Sequence, residues 1–205
     1  MKGPFIVFEG VDGAGKSEVS ARVSEKLGAV HLESPTGSFR EIRQEVDDQL
    51  PDKGRLFFYM ASNFHLSRQV ETQRENNTVI CSRYFHSTFI GYAARNQIPI
   101  NDIYESFHYS PCDFILPNLT IFLYVSEEVQ RSRIQSRSSS DNSRLDNLSI
   151  SDDEYRKRLF ANYVCVAERE GWVRIDASLP SVDDVVESCI RTIKAQLNGS
   201  IDFGV

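Results

Sequence analysis

Apolar residues recur along this chain in two alternating rhythms. Short continuous runs sit at Pro4–Phe8, Ala29–Glu33, Thr78–Ser82, Leu119–Val125 and Trp172–Asp176, with the length and the branched or aromatic content of strands. Between them the apolar positions space out to helical intervals. Val19, Val23 and Leu27 mark a helix over 18–27 that Gly28 stops. Phe39, Ile42 and Val46 predict one face of a helix over 39–50, followed by a Pro51–Gly54 turn. Further helices are expected over 56–70, 85–94, 101–109, 126–135 (Ser126 as its N-cap), 151–169 and 180–197. Strands alternating with helices require parallel pairing through right-handed crossovers, with helices on both faces. The expected architecture is therefore α/β, three layers around a five-stranded parallel sheet. Ligands of such sheets collect outside the carboxyl ends of the strands. That places the loop after the first strand, the Ser34–Ser38 loop and Ser82-Arg83-Tyr84 around one cleft.

The loop after the first strand carries the chemistry. Gly10-Val11-Asp12-Gly13-Ala14-Gly15-Lys16-Ser17 is glycine, four residues, then Gly-Lys-Ser, between a strand and a helix. That is the setting of the phosphate-binding P-loop. Glycines let the backbone wrap an anion with its N–H groups inward, and the helix start at Ser17-Glu18 adds unpaired N–H groups and the positive dipole end. Lys16 brings a charge to the transferred phosphate, and the Ser17 hydroxyl suits Mg²⁺. The expected ligand is a nucleotide polyphosphate with Mg²⁺.

Composition narrows the class. With 205 residues, 40% of them hydrophobic, one domain over 1–205 is expected. A net charge of −6 argues against a nucleic-acid binder. Cys81, Cys112, Cys165 and Cys189 form no metal-type pair, so buried reduced thiols are expected. No apolar run has membrane-spanning length and no leader peptide is apparent, so a cytoplasmic enzyme is expected.

Arg83 lies just past a strand end, where polar side chains face the cleft. Phosphoryl transfer asks for in-line positioning and cations around the moving charge, and Arg83 is the candidate for holding acceptor and donor phosphates together. Ser136–Ser143 is serine-rich and poor in apolar residues, and a mobile lid over about 136–150 is expected. Arg133 and Arg137 share a helix face before it, placed to reach ATP phosphates on closure. For Arg131 and Arg144 a solvated face is as good an expectation.

Phe8-Glu9-Gly10-Val11-Asp12-Gly13-Ala14-Gly15-Lys16-Ser17, the run Arg83-Tyr84…Ser87, Arg133 with Arg137, and Asp176-Ala177-Ser178 together resemble the thymidylate kinase family over nearly the whole chain. Ser34-Pro35 and Arg83–Thr88 look closest to its mitochondrial UMP-CMP kinase branch. The resemblance implies ATP-dependent phosphorylation of a nucleoside monophosphate, dTMP foremost. It implies Gly10–Glu18 at the nucleotide phosphates and Asp12 toward the acceptor's sugar hydroxyl. Glu9, Arg83 and Ser87 fall on the acceptor side, with Tyr59 stacking on the base and Asn63 reading it. It also implies a homodimer. The chain departs from the family at four places. Ser82 stands where the family has Asp. Glu33-Ser34-Pro35 lacks an arginine, for which Arg40 or Arg43 is the candidate replacement. Gly91-Tyr92 is one residue out of register with the family's Tyr-Gln, and Glu18 stands for Thr. Gly91, with Asn63 where many of the family have an arginine, keeps dCMP, UMP or a modified pyrimidine monophosphate open as acceptor. A deoxynucleoside kinase, against which Ser82 argues, and a nucleotide-binding protein with weak catalysis owing to Ser82 are the alternatives. GTPase guanine motifs and a motor-type acidic strand end are absent from the sequence.

Overall fold

A computed structural model of the chain describes residues 2–107, 114–136, 148, 151–179 and 181–197. Arg137, Arg144, Cys112 and all of the expected lid but Ser136 and Leu148 lie outside them. Five strands, β1 (Phe5–Gly10), β2 (Val30–Glu33), β3 (Val79–Ser82), β4 (Leu119–Tyr124) and β5 (Val173–Asp176), form one parallel sheet in the order β2-β3-β1-β4-β5. Every residue of β1 is buried, as a central strand covered on both faces must be. The chain builds β2 and β3 on one side of β1, then returns to place β4 on the other. The crevice at the carboxyl end of β1 is therefore the topological switch point, where such sheets bind ligands.

The helices are α1 (Lys16–Leu27), α2 (Ser38–Glu41), α3 (Arg43–Gln49), α4 (Asp52–Gln73), α5 (Phe85–Asn96), α6 (Ile100–Ser106), α7 (Glu127–Gln135), α8 (Asp153–Glu170) and α9 (Val182–Leu197). Val19 and Val23 of α1 are buried, as their spacing predicts, and Gly28 ends the helix in the left-handed conformation. Ser126 caps α7 by accepting from Val129 N at 3.3 Å.

Two local expectations are corrected. The helix over 39–50 is two short helices that meet at Ile42, which is half exposed. Its three apolar residues do not share a buried face. The Pro51–Gly54 turn is instead the start of the 22-residue α4, with Pro51 as N-cap and Asp52 in the first turn. Proline needs no N–H donor there, so the residues that signal a turn also open a helix.

Candidate active site

Gly10, the last residue of β1, has φ +149°, and a Cβ on it would lie 2.1 Å from the Leu123 carbonyl oxygen of β4. Glycine is thus required where the chain leaves the sheet. Gly13 and Gly15 also hold positive φ, and Gly15 is the N-cap of α1. Loop and helix join through Val19 N to Gly15 O at 2.9 Å. The buried Lys16 donates from Nζ to the Val11 carbonyl at 2.6 Å, arching over the loop, and Ala14 is fully buried beneath it.

Helix α7 braces this loop from outside. Gln130 donates to the Asp12 carbonyl at 2.8 Å. Arg133 donates to the Gly13 carbonyl at 3.4 Å and to Ala177, just past β5, at 2.9 Å. Arg131 turns away into an ionic cluster with Glu127, Asp153 and Arg156 that joins α7 to α8.

Beside the loop lies a cavity lined by residues from six segments. Gly10 and Asp12 come from the P-loop, Ser34 and Pro35 from the end of β2, and Arg43 from α3. Leu56 and Tyr59 come from α4; Arg83, Tyr84, Ser87, Thr88, Gly91 and Arg95 from the end of β3 and α5; and Tyr155, Leu159 and Tyr163 from α8. Its charged lining is three arginines and one aspartate, so it favours an anion.

Each guanidinium is held by a carboxylate. Arg83 pairs with Asp12 across the mouth of the P-loop, its side chain one-third exposed. Burial works against its charge, but Asp12, Tyr163 and Glu9 outweigh burial and raise its pKa. Arg83 also has φ +68°, a conformation a side chain adopts at a cost. It is fixed in place by its N–H, which donates to Phe8 O at 2.9 Å. Arg43 donates to Tyr59 Oη at 3.1 Å and faces Asp47 Oδ2 at 3.4 Å. Tyr59 in turn donates to Asp47, and burial pushes its phenol up to about 12, so it stays a neutral donor. Arg95 faces Asp52 at 3.5 Å.

The sequence-predicted residues divide accordingly. Asp12, Tyr59, Arg83 and Ser87 are gathered on the cavity wall. Glu9 and Asn63 are not: both are completely buried behind it. Glu9 accepts from Tyr84 N at 3.0 Å and from the Ser87 hydroxyl, pinning the start of α5, and its burial raises its pKa. Asn63 accepts from Ser34 Oγ and donates to Thr88 Oγ1, both at 3.0 Å, tying the β2 loop to α5. One donor and one acceptor of its amide are engaged by protein, and its side chain does not reach the cavity wall. The Glu18 carboxylate points outward to Arg22 at 2.6 Å, so its contribution to the phosphate site is confined to its backbone. Of the two arginines offered for the missing one, Arg43 lines the cavity, while Arg40 pairs with Glu33 at 2.6 Å.

Arg95, Tyr155, Leu159 and Tyr163 were not anticipated. The last three recur every four residues along α8, a stripe that reads as core until the tyrosine hydroxyls are considered.

Mg²⁺ keeps most of its waters and takes few protein oxygens beside phosphates. The Ser17 hydroxyl, 3.4 Å from the Ser82 hydroxyl, fits that demand. Among the described residues no group of three or more His, Cys, Asp or Glu could hold a metal ion by itself.

The family model described as thymidylate kinase matches residues 8–189. A thymidylate kinase of Lactobacillus helveticus is 27% identical over 215 residues, covering 96% of this chain and 98% of the relative. One from Enterococcus faecalis is 29% identical over 209 residues, covering 94% and 96%. Among solved structures, the thymidylate kinase of Candida albicans superposes with a TM-score of 0.76 at 18% identity, covering 96% of this chain and 93% of that one. That of Ehrlichia chaffeensis gives 0.67 at 18%, covering 95% and 99%.

Proposed function

The chain belongs to the thymidylate kinase family, and from that membership we propose how its own residues carry the family's reaction. It is an ATP-dependent kinase that phosphorylates dTMP to dTDP. The observation that supports the assignment of roles is the cavity at the P-loop mouth, with Arg43, Arg83 and Arg95 against a single lining carboxylate, Asp12.

ATP lies with its phosphates in the Gly10–Glu18 loop, held by backbone N–H groups, the α1 dipole and Lys16. The Ser17 hydroxyl would hold Mg²⁺, which would supply neutralisation of the phosphate charge. The acceptor enters the adjacent cavity with its phosphate toward Arg83 and Arg43. These guanidiniums offset the repulsion between two anionic tails and align them for in-line transfer. The acceptor oxygen is already anionic, so no strong base is needed. Asp12 orients Arg83 and offers an acceptor to the sugar hydroxyl. Tyr59 supplies a flat apolar face to the base. Ser87 takes part in the wall, with Glu9 and Asn63 as positioning residues behind it. Arg133 steadies the loop, and with Arg137 would approach the donor phosphates as the 136–150 lid closes over the single domain.

Two finer points belong to the same proposal. Phe57 and Phe64 of α4, seven residues apart, are 55% and 42% exposed and suit a homodimer contact. Cytoplasmic residence agrees with free thiols at Cys81, Cys165 and Cys189. Among the described residues no helix is long and apolar enough to cross a membrane.

The test is a coupled ADP-release assay with dTMP, dUMP, dCMP, CMP, UMP and thymidine. Turnover with dTMP and none with thymidine is expected. Activity confined to the nucleoside would overturn the acceptor assignment.

A further inference from the structure

We infer that Arg95 is a specificity-determining residue of the acceptor cavity, presenting guanidinium donors across Gly91 to an oxygen of the acceptor's nucleoside part. The inference rests on the phosphotransferase reading above but concerns a residue that reading leaves unused. Three observations carry it.

Ser87, Gly91 and Arg95 follow one another at four-residue intervals on α5, and all three line the cavity. Helical side chains lean toward the N-terminus, so Arg95 reaches back over Gly91. A Cβ on Gly91 would lie 3.2 Å from Arg95 Nη1. The missing side chain at 91 is therefore the space the guanidinium uses.

The Arg95 side chain is 11% exposed, faces Asp52 Oδ1 at 3.5 Å and bonds to Tyr155. The buried Nε is the atom turned to Asp52, outside hydrogen-bond geometry, while Nη1 is the atom that lies over Gly91. An arginine carries five donors and no acceptor, so one on a cavity wall calls for oxygen from its ligand.

Arg95 also stands apart from the phosphate-holding pair. Arg83 is paired with Asp12 at the P-loop mouth, while Arg95 is anchored at Asp52, the first residue of α4. Tyr155, which bonds to Arg95, lines the same cavity as both guanidiniums. On this inference, one of the oxygens that differ among pyrimidine monophosphates, the base 4-oxygen or the sugar 2′-hydroxyl, comes within reach of Arg95.

The variants Arg95→Met, Arg95→Lys and Gly91→Ala are compared with the native chain. Steady-state kinetics and calorimetric binding use dTMP, dCMP, dUMP and UMP. The dUMP/dCMP ratio, free of the 5-methyl group, reports the base 4-oxygen, and the UMP/dUMP ratio the sugar 2′-hydroxyl. Arg95→Met is expected to change one of these ratios about tenfold through acceptor KM, with ATP KM constant. Arg95→Lys should recover part of the change. Gly91→Ala should shift the same ratio the same way, with Tm unchanged or higher because alanine suits a helix better than glycine. Both ratios unchanged in Arg95→Met, or an equal loss for every acceptor with a lowered Tm, overturns the inference and leaves the kinase assignment standing. A native chain that binds none of the four overturns both.

Discussion

Replacing Arg83 with Met isolates the charge that the proposed mechanism depends on. The methionine keeps most of the side chain's length and the same left-handed backbone cost, so folding should be little affected. The guanidinium is one-third exposed on the cavity wall, and its departure leaves Asp12, whose side chain is 15% exposed, facing the same space. One attractive contact at ~4 Å and an effective dielectric of ~20 is worth about 4 kcal/mol. Arg43 remains beside the acceptor phosphate, so kcat/KM for dTMP should fall by roughly 10²–10³-fold rather than more. Part of that loss comes from the Asp12 negative charge, which Arg83 no longer offsets, acting on the acceptor phosphate. Arg83→Met combined with Asp12→Asn should therefore be more active than Arg83→Met alone, by roughly tenfold. The assay is coupled ADP release at varied dTMP and fixed ATP, with thermal denaturation as a fold check. A kcat/KM within threefold of the native value in a folded Arg83→Met chain would refute the reasoning.

Three further outcomes follow from the same structure. Lys16→Ala should lower kcat by a factor on the order of 10³ with an unchanged circular-dichroism spectrum, and a native rate would remove the P-loop from the mechanism. Acid should destabilise the chain through His86. This ring is buried against Tyr104 and Trp172, and burial, with a smaller effect of Arg169, holds its pKa down to about 3. The unfolded chain binds a proton near pH 6.5 and the folded chain does not, so stability falls as pH drops from there toward 3. The loss is about 2 kcal/mol by pH 5, and urea titrations should show that slope flattened in His86→Gln. Gln97 ends α5 at φ +56°, so Gln97→Gly should raise Tm by roughly 2–4 °C without altering kcat; a lower Tm would contradict the strain assigned to that position.

The P-loop was legible because its function is local. The turn is made by consecutive residues, and the pattern of glycines, lysine and serine records that geometry directly. The alternating apolar runs likewise gave the strand and helix order, since burial on both faces of a parallel sheet leaves a plain mark in each strand. Resemblance to the thymidylate kinases added the acceptor side, where no contiguous motif exists.

Glu9 and Asn63 show where that route ends. Both are polar residues near the cleft in sequence terms, and nothing in their spacing tells which way their side chains turn. Packing decided it: Glu9 is claimed by the start of α5, and Asn63 by Ser34 and Thr88. Arg40 and Arg43 were equivalent as sequence positions, but the break at Ile42 sets α3 so that Arg43 meets Tyr59 and the cavity. Sequence alone determined the phosphate-holding loop and the layered α/β order, because both depend on neighbours along the chain. The tertiary structure alone brought Arg95 and Tyr155 onto the cavity wall, because they come from separate helices whose juxtaposition depends on contacts between residues 60 positions apart.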